Sequence, residues 1–230
     1  MVQTEKGLSN CIMQSILTFG QQLSMTPSVA TEPKTEPQPP QVTPEMQAQE
    51  KTWALAAQQG DSTAFMHIVD AFQRPVYNLC YRMLGDVTEA EDAAQETFLR
   101  AYTKINTYQS NRKFSSWILS IASHYCIDRL RQRRHQTISW DDLPPWRWVP
   151  ATDPQPEEAA LSHEADLNIH NLLDTLPEGY RAATILRYWY EMPYDEIAET
   201  LDTTVSAIKS RLFRARQMLA DAARQNEHYQ

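Results

Sequence analysis

The sequence predicts an all-α protein with two small helical domains, joined by an extended acidic linker and preceded by a disordered tail. Apolar residues recur at three- and four-residue steps in two separate stretches, 51–135 and 166–224, as they do on the buried face of a helix. No stretch alternates in the manner of a strand. Between the helical stretches, residues 136–165 are rich in proline, aspartate and glutamate, which is typical of a linker.

The first 50 residues are predicted to form the disordered tail. Six of the 14 prolines lie between Pro27 and Pro44, among threonines and glutamines with few large apolar groups. Such a segment buries too little surface to offset the entropy of ordering it. Residues 11–19 are mildly apolar, but they lack a basic flank and a cleavage site, so we predict no signal peptide. No apolar run of spanning length occurs, so we predict no membrane span.

The composition argues against several classes of site. The formal net charge is −8, which taken alone disfavours a nucleic-acid partner. The three cysteines are far apart and show no metal-ligand spacing, so neither a disulfide framework nor a zinc site is expected, and a reducing cytoplasm fits. There is no phosphate-binding glycine loop, no HExxH and no plausible Ser-His-Asp set. We therefore expect no catalytic residue, metal or cofactor, and no enzymatic activity.

The first helical stretch is predicted to contain four helices. A short helix from about Thr52 stops at Gly60, and Asp61 or Ser62 caps a long second helix that contains Pro75. A third helix is expected over about Val87 to Ile105 and a fourth over about Ser115 to Arg134, with the polar loop NTYQSNRKF between them. Helices with such short connections favour a compact bundle.

The second helical stretch carries a helix-turn-helix pattern. Helices are expected over about 166–176 and 178–191, followed by a short helix at 194–201 and a final one at 204–224. Asp202 lies at the turn between the last two, where a left-handed conformation is needed and Asp tolerates it. Thr203 or Thr204 can cap the final helix. The inner face of that helix is Val205, Ile208 and Leu212.

The final helix is locally basic although the whole chain is acidic. No acidic residue occurs between Thr203 and Ala220, and four cations fall within two turns: Lys209, Arg211, Arg214 and Arg216. Small hydroxyls near the start of the helix can approach base edges, and the cations can reach phosphates or guanine acceptors. The alternative is a solvated basic face of a helical bundle.

Two helices of the first stretch carry further charge patterns. The third begins with clustered carboxylates, which indicate either ordinary compensation of the helix dipole or a surface that docks on a protein. The fourth places aromatic residues beside cations, as a single-strand binding surface requires, although C-terminal cations also satisfy the dipole. By its spacing Trp117 fits the core better than a base-stacking role.

The two stretches together resemble regions 2 and 4 of the extracytoplasmic-function (group IV) sigma factors of the sigma-70 family. DAAQETFLRAY is similar to the segment that docks on core RNA polymerase, and FSSWILSIASHYCIDRLRQRRH to the promoter-melting helix. LPEGYRAATILRYWYEMPYDEIAETL and TTVSAIKSRLFRARQML are similar to the −35-reading half. The sequence departs from the family at Glu191-Met192-Pro193 and at Ser206-Ala207, which bears on the preferred −35 sequence.

The resemblance implies a sigma factor that directs promoter-specific transcription initiation. Its implied partners are core RNA polymerase (the β′ clamp helices and the β flap), promoter DNA and an anti-sigma protein, with the linker directed toward the RNA path. The implied contacts to the β′ clamp helices are Asp92, Gln95, Glu96, Phe98 and Leu99. Those to the −10 element are Tyr108, Asn111, Arg112, Lys113, Trp117, Arg129, Arg131, Arg133 and Arg134. Those to the −35 element are Thr204, Ser206, Lys209, Ser210, Arg211, Phe213, Arg214 and Arg216, with Arg211 and Arg216 nearer phosphates or the domain interior.

A second hypothesis for the same residues is that the protein is an ordinary helix-turn-helix regulator. In that case the first domain would sense a ligand or form a dimer, and would have no affinity for core RNA polymerase. Binding to purified core polymerase separates the two hypotheses.

Overall fold

The computed structural model describes residues 44–138 and 169–227. It shows helices α1 (Pro44–Gln58), α2 (Ser62–Leu84), α3 (Val87–Lys104) and α4 (Phe114–Ile138), with a 3-10 turn at Ile105–Thr107. A helical segment at 169–174 precedes α5 (Glu178–Tyr188), α6 (Tyr194–Thr200) and α7 (Val205–Glu227). The all-α prediction is confirmed, since the described ranges contain no strand. The predicted linker and all of the predicted tail before Pro44 lie outside these ranges.

The chain divides into two compact units. Among the described residues, the first comprises 44–81 and Asp86–Tyr125, and the second comprises Arg82–Gly85, 126–138 and 169–227. The end of α2 joins the second unit through its carbonyl groups. Arg181 Nη1 donates to Met83 O at 2.7 Å, and Arg133 Nη1 donates to Leu84 O at 3.2 Å.

The core of the first unit lies along one face of α2. Phe65, Ile68, Phe72 and Val76 are buried there, at no more than 5% exposure, and they recur at the three- to four-residue steps seen in the sequence. Phe98 of α3 and Ile118 of α4 are buried in the same unit. Full burial of each such side chain stabilises the fold by roughly 1.5–3 kcal/mol, so helix packing rather than helix propensity holds this unit together.

The ends of the helices in the first unit follow from local chemistry. Asp61 Oδ1 accepts from the backbone N–H groups of Thr63 and Ala64 at 2.9 and 3.2 Å, which caps α2 as predicted. Gly60 has a φ of 91°, which ends α1 at the predicted place. Helix α1 itself begins at Pro44, earlier than the start predicted near Thr52. Proline suits the first position of a helix, since its missing N–H would have no partner there.

The second unit reverses direction twice through left-handed residues. Glu191 has a φ of 52°, and the N–H of Met192 donates back to Leu186 O at 3.2 Å. Asp202 has a φ of 48°, and the N–H of Thr203 donates to Ala198 O at 2.9 Å. Both are helix C-terminal motifs that need one left-handed residue. The prediction for Asp202 is confirmed, whereas no pattern in the sequence predicted the turn at Glu191.

Replacing Asp202 with glycine is expected to stabilise the second unit. A left-handed conformation costs an L-residue roughly 1–2 kcal/mol, of which aspartate bears less than most, so a gain of about 0.5–1 kcal/mol in the free energy of unfolding is expected. Chemical denaturation followed by circular dichroism measures it. Asp195→Gly, inside α6, is the matched control and should destabilise. A loss of stability in both variants would contradict the turn geometry.

Candidate nucleic-acid interface

The N-terminal half of α7 presents a polar, cationic face outside the core of the second unit. Ile208, Leu212 and Ala215 are buried, at no more than 2% exposure, and anchor the helix against α5 and α6. Thr204 caps α7, since its Oγ1 accepts from the N–H of Ala207 at 3.2 Å. The exposed members of the predicted −35 set are Thr204, Ser206, Lys209, Ser210, Phe213, Arg214 and Arg216. From Ser206 onward these residues share one side of α7, and Thr204 lies just before its first turn.

Arg211 differs from the other cations of α7 because it is half-buried. Its guanidinium covers the first turn of α5, where a Cβ added to Gly179 would lie 3.6 Å from Arg211 Nη1. The resemblance placed Arg211 either near phosphates or near the domain interior, and its position in the structure is the interior one.

A shallow groove beside α7 includes one residue that sequence reasoning missed. Tyr194, at the start of α6, lines it together with Lys209, Phe213 and Arg214. The guanidinium of Arg187 lies 5.2 Å from the centre of the Tyr194 ring, which places a further cation at this edge. Phe213 is 55% exposed, which is unusual for so large an apolar side chain. The groove thus combines cations with aromatic surface.

The acidic helix α3 shows its predicted docking residues in two environments. Asp92 is exposed, and Gln95, Glu96 and Leu99 are half-exposed, whereas Phe98 is only 1% exposed and belongs to the core. Glu96 Oε1 accepts from Arg100 Nε at 2.7 Å. The Arg100 guanidinium in turn lies 4.7 Å from the ring centre of Tyr125. Four of the five predicted residues therefore reach the surface of one helix.

The loop between the 3-10 turn and α4, residues 108–113, rests on an aromatic cluster. Tyr108 is 5% exposed, and its hydroxyl donates to Arg112 O at 2.8 Å. Its ring lies 5.1 Å from that of Phe114 and 5.7 Å from that of Trp117. Asn111, Arg112 and Lys113 are exposed, and Trp117 is half-buried. Tyr108 is therefore a buried support of the loop, whereas the residues at the loop tip are exposed. Trp117 packs against Tyr108 and keeps part of its surface exposed.

Two residues of α1 support this loop and were missed by sequence reasoning. Gln58 Nε2 donates to Ile105 O and to Tyr108 O, each at 2.9 Å. Glu50 is 5% exposed, and its Oε2 has no hydrogen-bond partner among the described residues. Burial raises the pKa of Glu50 to about 7, with the charge of Lys113 opposing the rise. Burial and the charge of Glu50 also raise the pKa of Tyr108. Glu50 fell in the predicted tail, so no sequence pattern connected it with the loop.

The arginines at the end of α4 are partly engaged within the second unit. Arg131 Nε lies 3.2 Å from Glu178 Oε1, and its Nη1 lies 3.8 Å from Asp128 Oδ1. Partial burial by itself would raise the pKa of Glu178, but a backbone hydrogen bond and the charges of Arg131 and Arg134 lower it overall. Arg129 and Arg133 are half-buried, while Arg131 and Arg134 are exposed.

Other kinds of site find no support in the described ranges. Within 44–138 and 169–227, no cluster of His, Cys, Asp or Glu is arranged to hold a metal ion. The helices of these same ranges include none with the length and apolar character needed to cross a bilayer. Cys80 and Cys126 are buried, and both are thiols rather than halves of a disulfide.

Comparison with known proteins identifies matches over both units. Residues 68–136 match the family model "Sigma-70 region 2", and residues 166–219 match "Sigma-70, region 4". The ECF RNA polymerase sigma factor SigW of Bacillus subtilis is 39% identical over 166 residues, which cover 70% of this chain and 89% of SigW. The RNA polymerase sigma-H factor of Pseudomonas aeruginosa is 30% identical over 182 residues, 76% of this chain and 94% of the relative.

Solved structures show the same fold at lower identity. CnrH, solved in complex with the cytosolic domain of CnrY, aligns with a TM-score of 0.58 at 21% identity over 77% of this chain and 98% of CnrH. The sigma factor RpoE of Bartonella quintana, solved with the anti-sigma factor NepR, aligns with a TM-score of 0.55 at 19% identity over 70% of this chain and 96% of RpoE.

Proposed function

Because the chain belongs to the extracytoplasmic-function group of the sigma-70 family, we propose that it divides the work of a sigma factor among three surfaces. As a member of this family it binds core RNA polymerase and directs transcription initiation from specific promoters. The division assigns −35 reading to α7, −10 capture to the loop at 108–113 and the end of α4, and polymerase docking to α3. We assign −10 capture and polymerase docking to a domain at 51–135, and −35 reading to a domain at 166–224.

One observation carries the assignment of −35 reading to α7. Its exposed side combines hydroxyls and cations over a stretch without a single acid, in a chain whose net charge is −8. A helix held by a buried face and exposing such groups at its N-terminal half fits the major groove. Lys209 and Arg214 supply donors for guanine or phosphate, and Ser206 and Ser210 are small enough to approach base edges. Phe213 adds apolar contact surface.

The loop at 108–113 is proposed to capture an unstacked base of the −10 non-template strand. Asn111, Arg112 and Lys113 project from an aromatic base, and the half-exposed Trp117 lies beside them. Cations that follow the backbone and aromatic surface that receives bases are what single-strand binding requires. Opening would be driven by binding, at a few kcal/mol per unstacked step, so we propose that the protein melts DNA without an active site of its own.

Docking on core polymerase is assigned to the exposed side of α3. Asp92, Gln95, Glu96 and Leu99 present carboxylate, amide and apolar groups together, and we propose that they meet the β′ clamp helices. The remaining proposed contacts are those of the second domain with the β flap and of the acidic linker, residues 136–165, with the RNA path.

Control by an anti-sigma protein completes the proposal. It is supported by the solved structure of RpoE, a protein of the same fold, with an anti-sigma factor bound. The partner would act in the cell interior, where the polymerase and the chromosome lie.

Reconstitution with purified core RNA polymerase tests the proposed function. The protein is expected to co-purify with core polymerase and to start specific transcripts from a fragmented genomic template that core alone does not transcribe. Binding to DNA without binding to core polymerase would instead favour an ordinary helix-turn-helix regulator. A mixture that yields no promoter-specific transcript would contradict the proposal.

A further inference from the structure

Helix α1 has no part in the division of work proposed above. It lies before residues 68–136, the range that matches the region 2 model, yet it packs against the 3-10 turn that leads into the loop at 108–113. Its buried residues face that turn and the core rather than solvent: Glu50, Ala54 and Ala57. Their spacing of three to four residues places them on one side of α1.

Gln58 fixes the first half of the loop through its backbone. Its single amide nitrogen donates to the carbonyls of Ile105 and Tyr108, the residues that begin and follow the 3-10 turn. The N–H of Tyr108 also donates to Ile105 O at 3.1 Å, and its hydroxyl donates to Arg112 O. A continuous chain of hydrogen bonds therefore runs from Gln58 through Tyr108 to Arg112, beside the exposed tip of the loop.

Glu50 interacts electrostatically with the residues at both ends of the loop, Tyr108 and Lys113. The residue is 5% exposed, and its buried Oε2 has no hydrogen-bond partner among the described residues. The groups that interact electrostatically with it are Lys113, whose cation favours the carboxylate, and Tyr108, whose ionisation the carboxylate disfavours. A buried carboxylate oxygen that accepts no hydrogen bond disfavours the charged form.

We propose that Gln58 and Glu50 are positioning residues for capture of the −10 base: Gln58 holds the backbone of the loop, and Glu50 in its neutral form lets α1 pack closely beneath it. The inference rests on the proposed role of the loop in base capture. Ionisation of Glu50 then loosens the contact between α1 and the loop and weakens base capture.

The direction of the pH dependence follows from the burial of Glu50. Its pKa in the folded protein, about 7, is higher than the ordinary value of 4.5. The stabilising contribution of the neutral carboxyl is therefore fully present below the ordinary pKa and is lost as the pH rises through about 7. Base capture should thus be better supported on the acid side of neutrality than on the alkaline side.

The experiment uses the complete protein bound to core polymerase and compares two promoter DNAs, both already unpaired at the −10 element. One carries the base to be captured and the other an abasic site in its place. The quantity measured is the ratio of the two affinities, because it isolates base capture from all other contacts. The variants are Glu50→Gln and Gln58→Ala, with Glu45→Gln as the matched control at an exposed position on the same helix.

The expected results differ between the variants. Gln58→Ala should lower the affinity for the intact DNA roughly tenfold through the loss of two hydrogen bonds, with the affinity for the abasic DNA unchanged. From about pH 6 to about pH 8, wild type and Glu45→Gln should lose discrimination together, whereas Glu50→Gln, which stays neutral, should keep it.

Several outcomes would overturn the inference. If Gln58→Ala lowers binding of both DNAs equally, or if Glu50→Gln follows the pH profile of wild type, α1 only supports the fold. If wild type itself does not distinguish intact from abasic DNA at any pH, base capture by the loop fails, and the inference fails with it. In another outcome, wild type distinguishes the two DNAs while Gln58→Ala and Glu50→Gln show the same affinity ratio and pH profile as wild type. That result would leave the proposed function intact and would reject only the positioning role of Gln58 and Glu50.

Discussion

Replacing Arg214 with alanine is expected to weaken binding to duplex DNA that carries the −35 element by roughly ten- to a hundredfold, corresponding to about 1–3 kcal/mol for a bidentate guanidinium–guanine contact. The affinity for core polymerase should remain that of wild type. The expectation follows from the position of Arg214 on the exposed side of α7, in the same groove as Lys209 and Phe213. The groups that anchor the helix, Ile208 and Leu212, are untouched by this change.

The control for Arg214→Ala is Arg224→Ala, which removes the same side chain from the C-terminal part of the same helix. Arg224 is exposed and lies 3.3 Å from Asp221, so its charge is already offset. An exposed pair of this kind contributes little to stability. Fluorescence anisotropy with a labelled promoter duplex measures both variants over a range of salt concentrations.

The sequence dependence of binding decides between two roles for Arg214. If it reads a base, the loss should be large on the preferred −35 sequence and small on unrelated duplex DNA. If it only binds phosphate, the loss should be similar on both and should reduce the salt dependence by about one counterion. Equal losses for Arg214→Ala and Arg224→Ala would contradict the assignment of −35 reading to this face.

Features set by neighbouring residues were predicted well from the sequence. The cap at Asp61, the stop at Gly60 and the left-handed turn at Asp202 depend on one residue type and on the few positions beside it. The basic face of α7 is equally local, because its cations follow one another at steps of two or three residues along a regular helix. For these features the periodicity and the chemistry of single side chains contain most of the information.

Features that depend on distant residues could not be predicted in this way. Gln58 meets the backbone of Ile105 and Tyr108 across 47 and 50 positions of sequence, and Arg131 meets Glu178 across 47. The composition around Pro44 favours a tail, yet α1 begins at that residue and packs on the 3-10 turn. Tertiary contacts here override local preference.

The same limit applies to the choice of surface residues within a motif. Phe98 belongs by resemblance to the docking segment, yet the structure buries it, whereas Asp92 in the same segment is exposed. A motif records both the residues that form a surface and those that hold it in place. Burial separates the two, so the charged residues of α3 are the ones to test for docking.

Reversing the charges of Asp92 and Glu96 together, to lysine, is expected to lower the affinity for core polymerase by roughly a hundredfold or more. Like charges brought together at an interface cost several kcal/mol, and both residues lie on the surface of α3. The affinity of the protein for duplex −35 DNA, whose contacts we assign to the second unit, should not change. Binding of labelled protein to core polymerase in solution measures the first quantity, and promoter anisotropy the second.

The structure also supplies the control for this reversal. Glu96 forms an i,i+4 pair with Arg100 at 2.7 Å, so the double variant loses that pair in addition to its docking groups. An exposed pair of this kind is worth about 0.3–0.5 kcal/mol, far less than the expected loss of binding. Asp70→Lys, an exposed reversal on α2 of the same unit, tests whether any added positive charge disturbs docking. Equal loss of core binding in Asp70→Lys, or loss of −35 binding in the double variant, would show that α3 is not a dedicated docking surface.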